Sequence, residues 1–252
     1  MTRVLVRRPS PDLAQGLISH IERRPPDVQL ALRQWDNYVQ ALTGVGWQVD
    51  EAPPAPQHPD SVFIEDTVVI FRDLAVITNP GASERSGETA GVERALTGLG
   101  LTLRHITAPA TLDGGDVLKI GNRMYVGVGG RTNPAACDQL AALLPVEVIP
   151  VRVSKVLHLK SAVTALPDGT VIGYPPLVDD PNLFSPFLEV PEESGSHVVV
   201  IDDETVLMAA SAPLTRVMLE GRGLRVVSVD ISEFEKLEGC VTCLSVRLRN
   251  GH

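Results

Sequence analysis

Near the C-terminus, Gly239-Cys240-Val241-Thr242-Cys243-Leu244-Ser245 sets two cysteines just ahead of the alternating run Leu244-Ser245-Val246-Arg247-Leu248. The alternation reads as a strand, which puts Cys243 at its entrance. Such a pair can be a redox couple, half a zinc site, a buried structural pair, or a nucleophile with a neighbour. Zinc wants four Cys or His ligands in two clusters, and the sequence holds no second cluster. A thioredoxin-like couple opens a helix after a strand, whereas this segment leads into a strand. On spacing alone, a structural pair and a nucleophile at Cys243 both stay open.

A thiol nucleophile needs an acid–base partner, and His158 in His158-Leu159-Lys160-Ser161 is the candidate. His20 and His58 stand in polar or Pro-rich loops, His105 is mid-strand, His197 is near a turn and His252 is terminal. Taken alone, His158 is as readily a satisfied core residue. In Thr111-Leu112-Asp113-Gly114-Gly115-Asp116, two carboxylates flank two glycines, so the chain can turn sharply and approach a ligand or another strand. Capping of an Asx turn is the simpler reading. In Asp60-Ser61-Val62-Phe63-Ile64-Glu65-Asp66, period-two alternation predicts a strand with Asp60 and Asp66 on one side and Glu65 on the other. Carboxylates beside apolar strand residues need a partner, and a cationic ligand is one. Arg85 and Arg131 follow strand ends, where an arginine is either solvated or clamps a carboxylate.

The elements that must position these residues repeat. Four times a helical pattern ends in a turn and enters a strand. The helices fall at Leu32–Leu42, Gly87–Leu99, Pro134–Leu144 and Ala212–Glu220. Short strand pairs precede the later helices: 60–70 with 75–78, 116–120 with 124–128, and 196–202 with 206–208. Between Val156 and Val190 a pair turns at Pro167-Asp168-Gly169, but Pro175, Pro176, Pro181 and Pro186 break up its helix. The chain therefore parses into about five strand–strand–helix–strand units, the first lacking much of its opening. A propeller-like ring and a three-layer sandwich both accommodate that string.

The 252 residues, 44% of them hydrophobic, suffice for a substantial core. Acidic residues outnumber basic ones by 31 to 22, and the net charge of −9 speaks against nucleic-acid or anionic-membrane partners. No apolar run reaches the length of a membrane span, and Met1-Thr2-Arg3-Val4 enters a strand rather than a signal sequence. Three cysteines are too few for a disulfide framework, so a cytoplasmic location is expected.

Taken together, the motifs resemble the dimethylarginine dimethylaminohydrolases of the guanidine-modifying (pentein) superfamily. The matching segments are Asp60-Ser-Val-Phe-Ile-Glu65-Asp66, Leu112-Asp-Gly-Gly-Asp116, Gly130-Arg-Thr-Asn133, His158-Leu-Lys-Ser161 and Val241-Thr-Cys-Leu-Ser245. They occur in family order across nearly the whole chain. The resemblance implies one catalytic domain over residues 1–252, an α/β five-bladed propeller of ββαβ units. It implies Cys243 as nucleophile, His158 as general acid/base and Asp113 as the carboxylate orienting the histidine. Glu65 and Asp66 would hold the guanidinium, Arg85 and Arg131 the substrate carboxylate, and Asp60 the α-amino group. Ile18 and Leu237 match positions whose backbone carbonyls contact that amino group. Asp113 stands where many bacterial relatives and the arginine deiminases have Glu, and Asp is the animal-type choice.

The implied reaction converts methylated arginine to citrulline and an alkylamine through a cysteine thiouronium. It needs no metal or organic cofactor. The expected partner is the small-molecule substrate, with neither nucleic acid nor membrane, and a homodimer is left open. Two alternatives stand beside it: an arginine deiminase or other guanidine-modifying enzyme, and a non-catalytic binder of cationic amino acids.

Overall fold

The computed structural model describes residues 2–248, which form five three-stranded sheets of one pattern. β1 (Arg3–Val6) runs parallel to β2 (Gln48–Glu51), joined by helix α1 (Val28–Gly44). The next unit is β3 (Val68–Phe71), β4 (Leu74–Ile77), α2 (Thr89–Gly98) and β5 (Thr102–His105). The third is β6 (Val117–Ile120), β7 (Arg123–Val128), α3 (Pro134–Leu143) and β8 (Glu147–Arg152). The short α4 (Leu159–Ala162) opens the fourth, with β9 (Val163–Ala165), β10 (Val171–Gly173) and β11 (Phe187–Glu189). The fifth has β12 (Val198–Val200), β13 (Thr205–Ala209), α5 (Pro213–Gly221) and β14 (Arg225–Val229). After α6 (Ser232–Glu235), the chain ends its described course in β15 (Ser245–Leu248).

In units two to five the opening strand is antiparallel to the second, and the second is parallel to the third. Parallel neighbours need a crossover connection, which the helices supply. The fourth unit crosses instead through 3₁₀ turns at Pro175–Leu177 and Pro181–Leu183, as its prolines require. The first unit lacks an opening strand in sequence because β15 provides it, with Val4 opposite Arg247 and Leu5 opposite Val246. The C-terminal strand thus closes the ring onto the N-terminal one. A cavity of about 210 Å³ is lined by β3, β6, β9, β12 and β15, so the opening strands form the inner wall. The fold is the five-bladed ββαβ propeller.

The helices start and stop for local reasons. Asp27 caps α1, accepting from the backbone N–H groups of Gln29 and Leu30, so the helix begins before Leu32. Its buried face is Ala31, Gln34, Trp35, Tyr38 and Leu42, the three-and-four spacing of an amphipathic helix. Those side chains pack with Leu13, Phe63, Phe234 and Leu244 into the apolar cluster that backs the cysteines. Burying each Leu or Phe there contributes about 1.5–3 kcal/mol.

The strand expected over 60–70 forms only from Val68 onward. Residues 60–67 turn rather than extend: Phe63 N–H donates to Asp60 O, Asp66 N–H to Phe63 O, and Ile64–Thr67 is a 3₁₀ helix. Alternation of apolar and acidic residues mimicked a strand, but i→i+3 bonds coil the segment in front of β3.

Candidate active site

Cys243, Asp66, Asp113 and His158 each lie on the approach to an opening strand, while Arg85 and Arg131 follow the second strands β4 and β7. The turn before β15 carries Cys243, whose N–H donates to Cys240 O. Tyr38 of α1 holds this turn: its hydroxyl donates to Val241 O at 2.8 Å and meets Ser245 Oγ at 2.8 Å. The 3₁₀ turn before β3 carries Asp66, and Asp113-Gly114-Gly115-Asp116 precedes β6. His158 stands immediately ahead of α4.

Gly114 and Gly115 are where the segments touch. A Cβ on Gly114 would lie 2.1 Å from Glu65 O, and one on Gly115 would lie 2.5 Å from His158 Nδ1 and 2.6 Å from Asp66 Oδ1. A side chain at either position forces them apart. The close approach lets Gly115 N–H donate to Asp66 Oδ1 at 2.9 Å.

His158 lies between carboxylates. Its Nε2 is 3.2 Å from Asp113 Oδ2 and its Nδ1 is 3.6 Å from Asp66 Oδ1. Burial alone would lower its pKa, but Asp66, Asp116 and Asp113 outweigh that and raise it to about 9. The imidazole is therefore a cation at neutral pH, with a proton to give. Asp66 is opposed by burial too, yet His158, Arg85 and the Gly115 N–H bring it down to about 2. Asp113 is wholly buried; its Oδ1 accepts from Gly81 N–H at 2.8 Å. Asp116, driven up to about 6 by burial, accepts from Thr132 Oγ1 and from Leu159 N–H. It tethers the residue that follows His158.

Cys243 and Cys240 are free, buried thiols with their sulfurs 3.2 Å apart. Their hydrogen bond, then burial, then the negative charges of Cys240, Glu65 and Asp66 hold the Cys243 thiol well above its usual range. Removing the last proton from the pair would set two anions side by side in a dry site.

A narrow cleft with about 20 Å³ of open space brings together Cys243, His158, Asp66, Asp60, Arg85, Arg131 and Leu237. Asp113 reaches it through His158. Arg131 Nη1 is buried with no hydrogen-bond partner, 3.7 Å from Asp113 Oδ2.

Three expected ligands, Glu65, Arg85 and Ile18, are tied to protein partners or stand at the edge of the cleft. Glu65 faces the cavity lined by the opening strands, where one carboxylate oxygen pairs with Lys160 and Oε2 is buried without a hydrogen-bond partner, while its backbone N–H donates to Cys243 O at 3.2 Å. Arg85 is buried with its donors committed to Glu88, Asp66 Oδ2 at 2.6 Å and the carbonyls of Asp60 and Phe63, so it grips Asp66. Beside the cleft, Leu17 takes the lining position next to Ile18, its N–H bonded to Asp60. Sequence alone did not single out Glu88 and Glu238. The i,i+3 spacing of Arg85 and Glu88 was a usable signal.

Among the described residues, ligand atoms of Asp66, Asp113 and His158 lie within 4.8 Å of one another. Two carboxylates and an imidazole at that spacing can hold a cation.

A buried thiol, an imidazolium and carboxylates at the axis of this ring define a cysteine hydrolase acting on C–N bonds. No family model matches the sequence. The chain is 61% identical over 250 residues to a dimethylarginine dimethylaminohydrolase of Streptomyces coelicolor, covering 98% of this chain and 97% of that one. It superposes with TM-score 0.90 on the Pseudomonas aeruginosa enzyme, a cysteine-to-serine variant complexed with citrulline, at 34% identity over 97% of this chain and 98% of that one. A dimethylarginine dimethylaminohydrolase adduct with S-methyl-L-thiocitrulline gives TM-score 0.91 at 33% identity, covering 98% and 100%. The chain belongs to the dimethylarginine dimethylaminohydrolase family.

Proposed function

We propose that the protein hydrolyses Nω-methylated and Nω,Nω-dimethylated arginine to citrulline and methylamine or dimethylamine. The observation that carries this is the convergence of Cys243, His158 and Asp66 on one buried cleft, with Asp113 bonded to the histidine. A guanidinium carbon is a weak electrophile because its charge spreads over three nitrogens, so a thiolate is the side chain suited to attack it.

In this mechanism the substrate guanidinium settles against Asp66, and its positive charge stabilises the Cys243 thiolate, whose proton passes to solvent. The Cys243 sulfur bonds to the central carbon. The C–N bond to the alkylamine breaks as His158 delivers its proton to the leaving nitrogen. Neutral His158 then takes a proton from water, whose oxygen attacks the thiouronium carbon, and the C–S bond breaks to release citrulline and restore Cys243. Asp113 orients the imidazole and balances its charge through both halves.

Arg131, with its unpartnered Nη1, binds the substrate carboxylate. Asp60 and the backbone carbonyls of Ile18 and Leu237 receive the α-amino group. Arg85 acts through Asp66, and Glu65 through its pair with Lys160, rather than by touching substrate. The catalytic unit is one domain over 1–252, cytoplasmic in keeping with its free thiols, and able to pair as a homodimer.

Purified protein incubated with asymmetric dimethylarginine should yield citrulline and dimethylamine in equal amounts. Acid quenching during turnover should leave a thiouronium mass on the Cys243 peptide. Faster citrulline formation from arginine, with ammonia, would make it a deiminase instead. Binding without turnover of any guanidine would make it a binding protein.

A further inference from the structure

The segment beside the cleft is hung from two carboxylates. Asp60 accepts from Leu17 N–H at 3.2 and 3.1 Å through its two oxygens. Glu238 accepts from Ser19 N–H at 2.8 Å through Oε2 and from His20 N–H at 2.6 Å through Oε1. Its side chain is only 5% exposed, and His20 Nδ1 stands 3.6 Å from the same Oε1. Further along, Arg23 closes the loop on itself by donating to Ala14 O and Gly16 O.

Glu238 occupies an unfavourable backbone position to do this. Its φ is +61°, in the left-handed region where glycine is the usual residue. It follows α6 and the hydrogen bond from Leu237 N–H to Phe234 O, and Gly239 comes next. A glycine at 238 would suit the backbone better, yet a long carboxylate stands there, buried and directed at another segment's N–H groups. Glu238 lines the catalytic cleft and also an adjoining groove of about 410 Å³. It lies on the loop that leads to Cys243, so its carboxylate ties the Leu17–His20 segment to the nucleophile's own loop.

We propose that Glu238 is a positioning residue for substrate capture, a latch that fastens the Leu17–His20 segment beside the cleft. The Ser19 N–H and the Ile18 C=O share one planar peptide, so fixing the first fixes the second. This rests on the reading above, in which Ile18 and Leu237 carbonyls receive the α-amino group. Glu238 sets the orientation of one and is the immediate neighbour of the other. The consequence is specificity for guanidines that carry an amino-acid head.

Two variants test it. Glu238→Gly removes the carboxylate and relieves the positive φ, so the turn is retained; Glu238→Gln keeps one acceptor oxygen and loses the charge. KM for dimethylarginine should rise roughly tenfold in Glu238→Gly and less in Glu238→Gln, as loss of charge-assisted bonds implies. The kcat should change little, and turnover of a methylated alkylguanidine without the amino-acid head should keep its wild-type rate in both. Tryptic cleavage after Arg23, located by mass spectrometry, should accelerate in the same order. Unchanged KM and unchanged cleavage in both variants would overturn the latch, as would a fall in kcat at constant KM, which places Glu238 at the chemical step. Should wild type fail to turn over methylarginines, the functional reading falls, and the cleavage comparison still decides the latch.

Discussion

Asp66→Asn exchanges one carboxylate oxygen for an amide nitrogen at the point where three groups converge. Asp66 Oδ2 accepts from Arg85 Nη1 at 2.6 Å, and Oδ1 accepts from Gly115 N–H and faces His158 Nδ1. The asparagine oxygen can keep only one side. If it stays with Gly115, its amide N–H groups confront the Arg85 donors, and a buried guanidinium is left with Glu88 as its one carboxylate partner. A carboxyl held at about 2 instead of 3.8 corresponds to about 2 kcal/mol of folding free energy at neutral pH. Removing one partner of a buried charge pair adds the desolvated charge left behind, bringing the expected loss to about 3–5 kcal/mol. The sign with pH follows from the depressed value. The Asp66 contribution is complete above pH 3.8 and is lost as pH falls through about 2. Urea denaturation of both proteins across pH 7 to 3 should therefore show a gap that is widest at neutral pH and narrows on acidification. His158, deprived of the carboxylate that raises it most, should titrate below about 9 by NMR. A gap under about 0.5 kcal/mol at pH 7 would refute the assignment of Asp66 as the hub. So would a gap that stays constant with pH.

Cys243→Ser should abolish turnover, while Cys240→Ala and Cys137→Ala retain most of it; steady-state citrulline assays would show the nucleophile misassigned if Cys240→Ala were the dead variant. Arg131→Ala should raise KM for methylarginine with little change in kcat, because it touches a part of the substrate that does not react. Alkylguanidines lacking the carboxylate should lose little further in that variant, and equal losses for both substrate types would assign Arg131 to the fold. Raised to about 9 from 6.5, His158 stabilises the fold fully below pH 6.5 and loses that contribution as pH rises through 9. The unfolding free energy from urea titrations should fall across that window by up to about 3 kcal/mol in wild type, and a slope just as steep in His158→Gln would refute the origin.

The helices were legible because their apolar spacing is local. All four lie within a few residues of the sequence reading, and Asp27 and its capping bonds explain the largest offset, at the start of α1. The five repeats left a ring and a sandwich both open, and closure of the ring was visible only as a missing opening in the first unit. Its completion by β15 pairs residues at opposite ends of the chain, which no local periodicity can reveal. The Asp60–Asp66 segment misled because alternation is necessary for a half-buried strand but also fits a coiled turn buried on several sides. The partners of Arg85 were not legible, because a loop arginine and a buried one look alike until the carboxylates around them are known. Glu88 and Asp66 claim its guanidinium at 2.8 and 2.6 Å. Gly114-Gly115 was legible as a close approach, although which segments approached was not.

The electrostatics of the cleft explain why a thiol is kept protonated where a thiolate is needed. Cys240, Glu65 and Asp66 all oppose negative charge on Cys243, and the site's positive charges, on His158, Arg85 and Arg131, each already face carboxylates. A permanently charged thiolate here would have His158⁺ as its natural counter-ion, and the proton needed by the leaving amine would be quenched by the nucleophile. With the thiol protonated, acid and nucleophile stay separate. Under the proposed mechanism the arriving guanidinium supplies the missing cation, and thiolate forms only when its target is in place. The same arrangement protects the thiol: thiolate is the form attacked by oxidants and alkylating agents. Alkylation of Cys243 by neutral reagents should therefore be slow at pH 7. Small guanidinium ions that occupy the carboxylates without reacting should accelerate it, and simple competitive protection by such ions would show that the thiolate exists before substrate arrives.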